Sequence, residues 1–229
     1  RINKEEVIVG NQITPRNAIF WYYLFNSIAV VLSFYLVYLV NNYYLLLIFL
    51  FSIFVLMLYS KTYQHTFILG NLIVSTLTSL SIFNVYLFVN YNSKVSSCEV
   101  YTTIAFTLFA FFLTLSREII KDLEDKKGDK LINSKNLASS LRLKHTKWIV
   151  SILLLVVLYP LIEWCLAILR DNNIILLTYS ILLCVLIIYT IYKVVNSRNK
   201  KNFSRISQLL KFIMILGIFS IPLFPYLFK

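Results

Sequence analysis

An all-α, polytopic membrane bundle is the fold this sequence predicts. Three observations point to it: 59% of the residues are hydrophobic and only 14% charged, seven apolar runs reach membrane-spanning length, and basic residues crowd the connections on one side. A soluble chain of 229 residues has no room to hide that much apolar surface, and the mean hydropathy of +0.76 makes lipid the solvent for most of it. Crossing a hydrocarbon core of ~30 Å takes about 20 apolar residues in a helix. Windows of that kind fall at residues 17–40, 43–59, 68–91, 101–121, 147–168, 173–195 and 206–228. The runs are continuous, as at 152–159, where a β-barrel would alternate, and lipid admits only helices or closed barrels. Residues 1–229 read as a single transmembrane domain with short connections, apart from a charged stretch at 121–147 that the hydropathy pattern leaves as a long loop.

Translocating Lys and Arg is disfavoured, so their distribution orients the bundle. With seven spans, nineteen of the 22 basic residues fall on one side, in the N-terminal stretch, the turn after Tyr59, the 117–147 region and the 193–211 connection. The other side holds Lys94, Arg170 and Lys229. The rich side is expected to be cytoplasmic, and its local charge suits membrane lipids of an anionic leaflet or an anionic substrate; nothing in it reads as nucleic-acid binding.

Cys98, Cys165 and Cys184 have no metal-ligand spacing and no evident disulfide partner, so they read as packing residues, with Cys98 in a non-cytoplasmic loop. His145 reads as interfacial, Glu163 as close to the far interface, and Pro160 as a kink in its helix. Residues 1–16 contain no signal-type apolar core.

The informative stretch follows the fourth span. From Ser116 it reads S-R-E-I-I-K-D-L-E-D-K-K-G-D-K, and Glu118, Asp122, Asp125 and Asp129 are four, three and four residues apart. If the helix persists that far, the four acids form one stripe on its face. Like charges at that spacing repel, and a helix C-terminus disfavours anions. Two readings remain open. Interleaved Lys121, Lys126, Lys127 and Lys130 make a charge-balanced, solvated helix end; alternatively, the carboxylates bind a divalent cation such as Mg²⁺, whose remaining shell is filled by water and substrate phosphate. Gly128 is expected to let the backbone turn where the stripe ends.

The run from Arg117 to Lys130 resembles the second aspartate-rich motif of the UbiA family of intramembrane prenyltransferases, closest to the geranylgeranylglycerol-phosphate geranylgeranyltransferase branch. Two further stretches agree in order. Residues 1–16, with Val9-Gly10 and Ile13-Thr-Pro-Arg16, resemble the segment after the family's first aspartate motif. Leu58-Tyr-Ser-Lys61 through Leu69-Gly-Asn71 resembles its tyrosine-containing turn, with Gln64-His65 standing where the family pattern carries a basic pair. Asn133 and Asn136 likewise replace the family's frequent Gly and Thr. The family fold has nine transmembrane helices, so the resemblance implies that this chain holds seven of them, without the first two helices and the first motif.

What the resemblance implies is Mg²⁺-dependent transfer of an isoprenyl group from its diphosphate to a lipid-phosphate or aromatic acceptor. Asp125 and Asp129 would bind the metal, with Asp122 supporting; Arg117, Lys121, Tyr59 and Lys61 would bind the donor diphosphate. No residue is singled out for the chemical step itself. Two other classes stay in view: a non-catalytic membrane protein of the same fold, and a transporter, for which no midplane charge or internal repeat speaks.

Overall fold

The structure, a computed structural model, describes residues 8–63, 66–92, 97–131, 137–170 and 173–221. The described residues are helical apart from short connections and one isolated bridge between Val9 and Ile13. Seven helices are long and apolar enough to cross a membrane: α1 (Pro15–Val40), α2 (Tyr43–Lys61), α3 (Leu69–Asn92), α4 (Ser97–Leu131), α6 (Leu143–Arg170), α7 (Ile174–Asn196) and α8 (Lys200–Ser220). A one-turn helix, α5 (Leu137–Ser140), joins α4 to α6. The protein is therefore an integral, multi-pass membrane protein.

Local chemistry sets several boundaries. Thr14 caps α1, its Oγ1 accepting from Asn17 N at 3.3 Å ahead of Pro15 at the first position. Asn41, at φ 57°, ends α1 in the left-handed conformation, and Asn42 opens α2 by accepting from Tyr44 N. Asn173 caps α7 in the same way through Leu176 N. Within the spans, several Ser and Thr hydroxyls donate to carbonyls a turn back, as Ser33 does to Ala29 and Thr190 to Leu186, which satisfies their polarity inside the helix.

The core lies around α4, the span with the largest buried share, which packs against α3, α6 and α8. Leu113, Ile119, Ile120, Val150, Leu154, Ile187, Leu210 and Ile213 are fully enclosed there. A smaller cluster joins Val37, Val40 and Leu45 to Leu87 and Phe88, tying the α1–α2 hairpin to the far end of α3.

Three expectations need correction. The stretch 121–147 is not a long loop: α4 continues beyond Lys121 to Leu131 and passes through Gly128 without a turn. Ile119, Ile120 and Leu123 bury one face of this extension, and that burial offsets the roughly 1 kcal/mol that a helical glycine costs. Second, α8 begins at Lys200 although its apolar window begins at 206, because Phe203 is drawn into the core while its neighbours stay polar. Third, Cys98 is in the first turn of α4 and not in a loop. Cys165 and Cys184 are free thiols whose Sγ atoms pack 3.8 Å apart across α6 and α7. The helix α6 runs unbroken through Pro160.

Seven alternating spans bring the end of α2, the start of α3, the end of α4, the start of α6 and the α7–α8 connection to one end of the bundle. This is the basic end. There Lys147 Nζ donates to the Val195 carbonyl at 2.9 Å, satisfying an acceptor in the last turn of α7, and Lys126 Nζ donates to the Leu141 carbonyl at 3.3 Å, holding α4 to the segment after α5.

Candidate active site at the basic end of the bundle

Because α4 stays helical through Leu131, Glu118, Asp122 and Asp125 share one face, with Asp122 and Asp125 one turn apart. The side chain of Asp129 lies outside the described residues, as do Gln64, His65, Asn133 and Asn136. The three described acids have different surroundings. Glu118 gathers two of the expected diphosphate ligands: Arg117 Nη1 lies 2.7 Å from its Oε1 and Lys121 Nζ 3.5 Å from its Oε2. Asp122 accepts from Asn71 Nδ2 at 2.8 Å, a contact from the first turn of α3. Asp125 is exposed at the helix face.

Tyr59 belongs to the same cluster. Its ring is half-buried near the end of α2, and its phenol lies within electrostatic reach of Glu118 and Asp122. Gly70 explains how the α2–α3 turn comes so near. A Cβ there would sit 2.7 Å from the Tyr63 carbonyl oxygen and 3.3 Å from Tyr59 Cε2, so the turn closes only on a residue without a side chain. Lys61, the last residue of α2, is exposed, and among the described residues no ion pair joins it to Glu118, Asp122 or Asp125.

The structure thus brings Tyr59, Arg117, Lys121 and Asp122 into one cluster, sets Asp125 a turn further along and leaves Lys61 at the rim. Two participants escaped the sequence reading as site residues. Asn71 stood inside the recognised Leu-Gly-Asn stretch, and its signal was the glycine before it, which demands a close approach. Glu118 was counted in the stripe, but pairing it with both cations requires the folded rotamers.

Whether these residues suit a metal-bound anion can be tested on their own chemistry. Among the described residues no three Asp, Glu, His or Cys side chains converge as a cage. Mg²⁺ does not ask for one: it takes one or two protein carboxylates, keeps several waters and completes its shell with phosphate. Asp122 and Asp125 supply hard oxygen donors at the right spacing. Arg117 Nε is buried without a hydrogen-bond partner, as is the Thr114 hydroxyl one turn deeper on the same face, so donors remain for an anion. The residues fit.

Deeper in the bundle, an apolar cavity of about 800 Å³ opens between α3, α4 and α8, walled by Ile82, Tyr86, Phe106, Phe109, Met214 and Ile218. Its near end, at Ala110, is about 18 Å down α4 from Asp122 at 1.5 Å rise per residue.

Residues 1–217 match the UbiA prenyltransferase family. The chain belongs to that family. Among its curated relatives, the digeranylgeranylglyceryl phosphate synthase of Saccharolobus solfataricus is 42% identical over 117 residues, covering 51% of this chain and 40% of the relative. That of Metallosphaera sedula is 32% identical over 158 residues, 69% of this chain and 52% of the relative. The UbiA chain described here therefore spans about half the length, or less, of the curated relatives it matches. A solved structure presented as "Structural and mechanistic insights into the biosynthesis of Digeranylgeranylglyceryl phosphate synthase in membranes" superposes with a TM-score of 0.66 at 26% identity, covering 96% of this chain and 74% of that one. The all-helical membrane fold expected from the resemblance is thus the fold found, and the family is the one expected.

Proposed function

We propose that the intact protein is a Mg²⁺-dependent intramembrane prenyltransferase of lipid biosynthesis, joining a geranylgeranyl-type diphosphate to a glycerophosphate-type lipid acceptor. The observation that carries this reading is the cluster at the basic end: carboxylates of Asp122 and Asp125 on one helix face, with Arg117 and Tyr59 beside them. The relatives' shared name, digeranylgeranylglyceryl phosphate synthase, supports the choice of donor and acceptor.

In this reading Asp122, Asp125 and Asp129 hold the metal, which when bound neutralises the donor diphosphate and makes it a better leaving group. Arg117 and Lys121 bind the same anion. Charge-assisted contacts of that kind are the strong ones, and Arg117 has a buried Nε to spare. Tyr59 packs at the edge of the carboxylates and helps keep water from the reacting carbon, while Lys61 steers the anion from the rim. Heterolysis of the C1–O bond sends the electron pair out with the diphosphate; the acceptor hydroxyl oxygen forms the new C–O bond and gives up its proton to solvent or diphosphate. The cavity between α3, α4 and α8 suits the apolar tail of a polyprenyl substrate. The basic end faces the cytoplasm, where nineteen of 22 basic residues would be held by the positive-inside rule.

The test is turnover by the intact protein in lipid nanodiscs, with geranylgeranyl diphosphate and a panel of lipid-phosphate and aromatic acceptors, in Mg²⁺ and in EDTA. Metal-dependent product with a glycerophosphate-type acceptor is expected. Product with an aromatic acceptor alone would overturn the acceptor assignment, and no product from a folded protein would favour a non-catalytic member of the family.

A further inference from the structure

We infer that Asn71 is a positioning residue for Asp122, fixing one carboxylate oxygen so that the acidic face of α4 receives the cation in a set orientation. The inference rests on the prenyltransferase reading and deepens it.

The contact is specific. A carboxylate only accepts, so the Asn71 amide must present Nδ2 to Asp122 Oδ2, and at 2.8 Å the bond is charge-assisted. It joins residues 51 apart in sequence and links the first turn of α3 to the acidic face of α4. Asn71 is itself held. Its carbonyl accepts from Ser75 Oγ at 2.6 Å, and Gly70 just before it is pressed against Tyr63 and Tyr59, so the direction in which the amide leaves the helix is set by packing.

The chemistry of the partner separates Asp122 from its neighbour on the stripe. Glu118 has two cations against it, so much of its charge is already offset. The Asn71 amide is neutral, so it orients the Asp122 carboxylate without itself cancelling the charge. Glu118 is therefore the anchor for Arg117 and Lys121, and Asp122 is the acid that Asn71 orients for a divalent ion. An amide suits this task where Lys or Arg would not, because a cation at position 71 would compete with the metal.

The experiment uses Mn²⁺ as probe, titrated by electron paramagnetic resonance into the intact protein in nanodiscs with inorganic diphosphate present. Asn71→Leu is expected to weaken Mn²⁺ binding by about tenfold, the usual cost of removing a group that orients a metal ligand, while Asn71→Gln, which keeps the amide donor, recovers part of the loss. Should the leucine variant fail to fold, Asn71→Ala removes the same donor without adding bulk. Asp122→Asn weakens binding too, and adding Asn71→Leu to it should cost less than about twofold more, since a residue acting through Asp122 has nothing left to orient. Unchanged binding in the Asn71 variants, or a double variant whose loss is the product of the two single losses, would overturn the positioning role and leave the prenyltransferase reading intact. Wild-type protein that takes up no Mn²⁺ with diphosphate would overturn both.

Discussion

Gly70 lies against Tyr63 so closely that a β-carbon would stand 2.7 Å from the Tyr63 carbonyl oxygen, and the ring of Tyr59 closes the other side at 3.3 Å. Neither neighbour yields easily, since one is backbone and the other is wedged near the acids. Gly70→Ala should therefore push the α2–α3 turn away from α4, separating Tyr59 and Asn71 from Asp122. The expected result is a loss of about 1–3 kcal/mol in stability and a donor KM raised at least about tenfold. Thermal unfolding and donor-dependence curves on the intact protein check it, and a wild-type KM would show that the turn plays no part in the site.

Arg117 is the cation most committed to the site, paired at 2.7 Å with Glu118 and keeping a buried Nε without a partner. If that nitrogen serves the donor diphosphate, Arg117→Gln removes a charge-assisted contact of about 1.5–3 kcal/mol, which is roughly 10- to 150-fold in affinity. Arg117→Lys should recover only part, because an ammonium has no planar fork to serve Glu118 and the anion together. Donor binding measured by calorimetry decides this. Equal affinity in all three proteins would confine Arg117 to pairing with Glu118.

How much of this was legible beforehand differs by element. The spans were, because lipid imposes one rule on every window and the apolar runs obey it; α1 and α2 begin and end within two residues of their windows. The extension of α4 was not, since hydropathy stops at the first charges while an amphipathic helix continues past them, and Ile119, Ile120 and Leu123 reveal their buried face only once α6 and α8 are in place. In the site, the acids were legible because carboxylates at helical spacing are conspicuous in an apolar chain. Asn71 was not, because a lone amide carries no such signal and its partner lies 51 residues away.

Asp125 is exposed on the stripe, a turn from Asp122, where loss of its charge should leave the fold undisturbed. Asp125→Asn keeps shape and removes a hard anionic ligand, so turnover should fall at least about a hundredfold, equivalent to roughly 2.7 kcal/mol of barrier, with membrane insertion and thermal stability unchanged. EDTA should abolish wild-type turnover and excess Mg²⁺ restore it. Wild-type rates in Asp125→Asn would remove this residue from the metal assignment.

The last prediction concerns the wall of the apolar cavity. Gly217 on α8 faces Phe109 on α4, and a Cβ there would meet Phe109 Cε1 at 2.6 Å. The nearby atoms are the outer edge of the Phe109 ring, which must turn toward the cavity it walls to admit a methyl group, and lipid offers no hydrophobic gain to offset looser packing between helices. Gly217→Ala alone should cost about 1–3 kcal/mol. Phe109→Leu shortens the opposing side chain, so the double variant Phe109→Leu with Gly217→Ala should be more stable than the sum of the single effects allows, by about 0.5–3 kcal/mol. Thermal stability of the four proteins in nanodiscs gives the coupling directly. Additive losses would mean that α8 moves away from α4 as a unit and that the contact between Gly217 and Phe109 does not set their spacing.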